Sequence, residues 1–77
     1  MTVRSKFRCQ KILEQEGATR TFSATFIPVT SGSEENKKFW EWTPCGELRL
    51  DGLKSRYNWE VGKEYFIDVT LAVPMEA

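Results

Sequence analysis

Residues 3–29 read VRSKFRCQKILEQEGATRTFSATFIPV, and the alternation within this stretch decides the fold class. Val3, Phe7, Cys9 and Leu13 fall on one side of an extended chain, and Arg4, Lys6, Arg8 and Gln10 on the other. Ser5 and Lys11 interrupt the apolar side without breaking the period of two, which is the strand signature. Gly17, within Gln15-Glu16-Gly17-Ala18, supplies a turn. Residues 20–29 then alternate again, with Phe22, Ala24 and Phe26 against Thr21, Ser23 and Thr25. Folding the hairpin about Glu16-Gly17 sets Phe7 opposite Phe26, Cys9 opposite Ala24 and Arg8 opposite Thr25. Apolar side chains meet in this register, and a slip of one residue destroys the match.

Downstream, Pro28 ends the regular part of the second strand or places it at an edge. Ser33 followed by Glu34, Glu35 and Asn36 reads as a helix N-cap with acids in the first turn, where the helix dipole favours them. Thr43-Pro44 stops any helix, so about two turns lying across a barrel mouth are predicted, with an irregular loop as the alternative. Residues 47–50 form a short strand, and Asp51-Gly52 signals a type I′ hairpin turn. Leu53, Ser55, Tyr57 and Trp59 then alternate with Lys54, Arg56 and Asn58. The turn sets Leu50 against Leu53, Glu47 against Arg56, and Arg49 against the like-charged Lys54. Either this second arm, residues 53–59, is not a regular strand, or that spot takes an anion. Residues 61–64 make another turn before the clearest strand, residues 65–73. Its one face is Tyr65, Ile67, Val69, Leu71 and Val73, and Pro74 closes it. The expected architecture is mainly β: one domain over residues 1–77, a five-stranded barrel or sandwich of SH3-like or OB-like size, with one short helix.

Composition bounds the function. The chain has 77 residues, a hydrophobic content of 40%, and three Trp, two Tyr and five Phe, which argues against disorder. A domain this small buries little of its unfolded surface, which favours a homo-oligomer or a tightly held partner. Eleven basic residues balance eleven acidic ones, whereas a protein that coats nucleic acid without sequence preference carries a positive excess. The bases concentrate early, at Arg4, Lys6, Arg8, Lys11 and Arg20, and the acids late. The opening strand is therefore a solvated basic face or pairs with the acidic end. No apolar run is long enough to cross a bilayer and the start carries no leader-like stretch. The expected location is a cytoplasm, with Cys9 and Cys45 as free thiols.

There is no histidine, which removes Ser–His and Cys–His nucleophile pairs and the commonest general base. Two separated thiols cannot close a zinc site, and no glycine-rich phosphate loop occurs. The expectation is a protein without catalytic residues, cofactor or metal.

Phe39-Trp40-Glu41-Trp42-Thr43-Pro44-Cys45-Gly46 is the informative stretch. One of Trp40 and Trp42 belongs in the core, and the other is surplus for so small a domain. A surplus tryptophan near Lys37, Lys38, Arg49 and Lys54 suits base stacking or a protein-interface anchor. Thr43 and the backbone around Gly46 complete a candidate ligand site as hydrogen-bond donors.

The run Ser31-Gly32-Ser33-Glu34-Glu35-Asn36-Lys37-Lys38-Phe39-Trp40, then Thr43-Pro44-x-Gly46, together with Val61-Gly62-Lys63-Glu64-Tyr65-Phe66-Ile67-Asp68-Val69, resembles a family of small uncharacterised bacteriophage and prophage proteins. The likeness covers roughly the C-terminal two-thirds of the chain and transfers no active residues. Where such relatives carry Ser between Pro and Gly, this chain has Cys45, which argues against a required thiol. The resemblance implies a phage protein in the host cytoplasm or the virion. Three roles compete. One is counter-defence or host takeover by binding a nucleotide-like signal or a host protein. The others are virion decoration of head or tail, and OB-like single-strand binding, which the neutral charge disfavours.

Overall fold

The computed structural model describes residues 2–73. Four strands and one helix follow in the order β1 (Thr2–Gln15), β2 (Thr21–Pro28), α1 (Glu34–Phe39), β3 (Leu48–Leu53) and β4 (Glu64–Thr70). The strands form one antiparallel half-barrel sheet in the order β3-β2-β1-β4. β3 and β4 are its two edges and do not meet. The predicted fifth strand, across residues 53–59, does not form: Leu53 closes β3, and residues 54–59 are irregular.

The first hairpin is present, but its register differs from the sequence-based one. Phe7 stands opposite Pro28 and Cys9 opposite Phe26, and beyond a bulge Ile12 stands opposite Ala24. The extra residue is Gln10. It flips the pleat, so that Ile12 packs on the core while Leu13 is left 48% exposed. Strict alternation had placed Leu13 inside. A bulge strengthens the local twist of a long strand, and residues 16–20 make a longer connection than a tight turn about Gly17.

The Asp51-Gly52 hairpin does not form. Phe22 pairs with Leu53 and Ala24 with Leu50, so β3 carries one extra residue between them. Gly52 has φ +70°, a left-handed value that a type I′ turn and a glycine bulge both require. β3 therefore runs on through the glycine, and the pairs Leu50–Leu53, Glu47–Arg56 and Arg49–Lys54 do not exist.

The inner face gathers Cys9, Ala24 and Phe26 as its buried centre, ringed by Phe7, Ile12, Leu48, Leu50 and Leu53. The connection between β3 and β4 lays Trp59 edge-on against Phe26 at 5.3 Å, and Tyr65 meets the same ring at 5.9 Å. The Tyr65 hydroxyl accepts from the Glu60 N–H at 2.9 Å, which ties that connection down.

The outer face carries the charges. Arg4 grips Asp68 through two bonds of 2.7 and 3.0 Å, and Arg8 reaches Glu64 at 3.2 Å. Arg4 and Lys6 also lie over the Phe66 ring, at 4.8 and 5.4 Å. The basic opening strand thus pairs with the acidic closing strand. β4 ends at Thr70, and residues 71–73 are irregular; the expectation that Pro74 closes the strand lies outside the described residues. No helix among the described residues is long and apolar enough to cross a membrane.

The chain extends 43 × 42 Å but is 19 Å thick, with a radius of gyration of 14.9 Å. A compact domain of this length would have about 11.5 Å. The sheet is open, and its interior is small.

Candidate functional site

β2 ends at Pro28, opposite Phe7. One step beyond, Val29 donates its N–H to Lys6 O at 3.0 Å, but the ladder opens between the Lys6 N–H and the Val29 C=O and leaves a gap. Asn36 fills it: its Oδ1 accepts from the Lys6 N–H at 2.7 Å, and its Nδ2 donates to Lys6 O and Val29 O, both at 2.8 Å. One side-chain amide stands in for a peptide of the missing strand, and it is 2% exposed. α1 is held in place by this pin. Its start follows the sequence reading, because the Ser33 hydroxyl accepts from the Asn36 N–H at 3.2 Å.

The pinned helix shapes two depressions. On one side a hollow of 220 Å³ lies between Val29, Asn36, Lys37, Trp42, Thr43 and Pro44. On the other a cleft of 420 Å³ runs between α1 and the start of β1, lined by Val3, Arg4, Glu34, Glu35, Lys38 and Phe39. Within that cleft Glu35 receives its own amide and the Ser33 hydroxyl, which hold its carboxyl below the usual carboxylate range.

The eight predicted site residues are therefore distributed, not gathered. Lys37, Trp42 and Thr43 share the hollow. Trp40 turns away from it, packing on Phe39 at 4.6 Å and on Phe7 at 6.0 Å. One tryptophan is thus half-buried and the other, Trp42, is 84% exposed. Lys38 lines the cleft. Arg49 sits on the outer face of β3 opposite Thr25 and bridges to Asp51 at 3.2 Å. Lys54 follows β3, with no hairpin to bring it to Arg49. Gly46 adopts φ +123° in open space. Asn36 and Val29 escaped sequence reasoning, since no local pattern marks a ladder opened by a side chain.

Two of the cations are already engaged, since Lys37 lies 3.5 Å from Glu34 and Arg49 is bridged to Asp51. Cys9 is fully buried and Cys45 exposed, both as free thiols, and burial pushes the Cys9 thiol up. Among the described residues no cluster of His, Cys, Asp and Glu could hold a metal ion. No family model, curated protein or solved structure matches the chain.

Proposed function

We propose that this is a phage-encoded, non-enzymatic binding protein that acts by occupying the surface of a host protein, as in counter-defence or host takeover. The observation that carries this reading is Trp42, 84% exposed on the rim of a hollow whose floor is pinned by Asn36. Large exposed aromatics are among the commonest interface anchors, worth about 2 kcal/mol or more on truncation. The phage attribution rests on the motif resemblance alone.

Immobilised protein challenged with host lysate retains a host protein on this reading. Trp42→Ala weakens that contact about 30-fold without moving the melting temperature. A Trp42→Ala protein that still holds the same partner, or the absence of any partner, refutes it. A nucleotide-like ligand is the second reading, favoured by Lys37, Trp42 and Thr43 standing around one hollow. It is weaker, because Lys37 is engaged by Glu34 and Arg49 is elsewhere. Trp fluorescence titrated with cyclic and linear nucleotides tests it. Recovery of the protein from purified virions would favour the decoration role over both.

A further inference from the structure

We propose that the free edge of β4 joins the same edge of a second copy, antiparallel about Ile67, extending the two four-stranded sheets into one. The proposal is independent of what Trp42 binds.

The direction of the backbone groups comes first. Cys9 donates its N–H to Lys63 O at 2.9 Å and accepts from the Gly62 N–H at 2.8 Å, both on the β4 side. Lys6 uses its N–H and C=O on the opposite side, with Asn36 and Val29. Odd-numbered residues of this part of β1 therefore address β4. Because Phe7 stands opposite Tyr65 and Ser5 opposite Ile67, the odd residues of β4 are spent on β1. The N–H and C=O groups of Glu64, Phe66, Asp68 and Thr70 point outward, with no strand beyond them among the described residues.

An unpaired row of this kind templates further pairing unless a proline, bulge or inward charge blunts it. β3, the other edge, is interrupted by the Gly52 bulge. β4 runs Glu64–Thr70 with no Pro, no Gly and no register shift. Its two carboxylates, Glu64 and Asp68, lie on the outer face beside Arg8 and Arg4, so neither is an inward charge that blunts the edge.

Charge then selects the register. Outward-pointing residues must pair with outward-pointing residues, so the two-fold axis passes through Phe66, Ile67 or Asp68 if most of the strand is to overlap. An axis at Phe66 sets Glu64 against Asp68, and an axis at Asp68 sets two carboxylates face to face. Like charges directly opposite are destabilising. An axis at Ile67 places Phe66 opposite Asp68 of the second copy and Glu64 opposite Thr70. On the inner face it sets Ile67 against Ile67 and Tyr65 against Val69, which is otherwise 64% exposed. The chain leaves 6288 Å² accessible, against about 4,800 Å² for a compact monomer of its mass. The open sheet as a whole therefore has more surface to spare than the about 800 Å² per partner that a stable interface takes.

Light scattering of the unaltered protein at micromolar concentration is expected to return twice the chain mass of 8.9 kDa. In a Cys45→Ser background, Ile67→Cys should oxidise rapidly to a covalent dimer, since residues facing each other across the axis lie within disulfide reach. Phe66→Cys alone should not, but should cross-link when mixed with Asp68→Cys. Should Ile67→Cys fail to fold, Glu64→Cys mixed with Thr70→Cys reads the same register from two exposed positions. A chain-mass particle at every concentration overturns the proposal. Self-linking of Phe66→Cys as fast as that of Ile67→Cys overturns it too.

Discussion

Replacing Asn36 by Ala removes the amide that completes the ladder beyond Pro28. The Lys6 C=O keeps its bond from the Val29 N–H at 3.0 Å, but the Lys6 N–H and the Val29 C=O lose their Asn36 partners. Stranding a buried backbone group costs about 1–3 kcal/mol, so the substitution should cost about 2–6 kcal/mol. A chain of this length has about 4–12 kcal/mol to lose. The assay is urea denaturation followed by tryptophan fluorescence, at fixed chain concentration because association adds to apparent stability. Asn36→Asp sharpens the test. It keeps the acceptor for the Lys6 N–H but turns its second oxygen toward two carbonyls, so the folded state favours the protonated acid. Its folded pKa is then raised above the unfolded value near 4. The deficit relative to the parent is smallest below that unfolded value and widens as pH rises through the folded pKa. An Asn36→Ala protein within about 0.5 kcal/mol of the parent, below the cost of one stranded group, would refute the reasoning. So would an Asn36→Asp deficit that ignores pH.

Gly52→Ala meets open space, so its cost is backbone strain alone, about 1–2 kcal/mol in the same denaturation assay; Gly17→Ala, at a position without a left-handed φ, should be neutral. A thiol reagent should titrate Cys45 at once in the native protein and Cys9 only after denaturant is added. The bond from Arg4 holds the Asp68 carboxyl below the usual carboxylate range. The stability it contributes is present above the unfolded Asp pKa and lost as pH falls through the lower folded value, and Asp68→Asn should flatten acid denaturation across that window.

The period of two made the strands legible, and the Ser33-Glu34-Glu35 cap made the helix legible. Local pattern could not reveal where the ladder slips. Gln10 is an ordinary strand residue, and only the pairing with β2 makes it the extra one. Asp51-Gly52 was ambiguous by chemistry, since a glycine at positive φ serves a turn and a bulge alike. Reading it as a turn created the spurious Arg49–Lys54 pair and drew both into one site. Trp40 and Trp42 separate, but neither joins the buried core: Trp40 is half-buried against Phe7 and Phe39, Trp42 is exposed, and Trp59 is the tryptophan that packs on the core. Asn36 was missed because an asparagine in a charged helix reads as solvated, and its partners Val29 and Lys6 lie seven and thirty residues away.

The Thr2 and Thr70 hydroxyls meet at 2.8 Å across 68 residues of chain. β1 is therefore an early strand whose second neighbour is synthesised late. The β1–β2 hairpin can close locally, but the β1–β4 ladder must wait, and topologies rich in such distant pairings fold in milliseconds to seconds. During that interval one whole side of β1 is unpaired. The Arg4-x-Lys6-x-Arg8 stripe, not yet neutralised by Asp68 and Glu64, acts then as a gatekeeper: its like charges keep nascent hairpins from stacking on one another. The arrival of β4 cancels the repulsion at the moment the edge is covered.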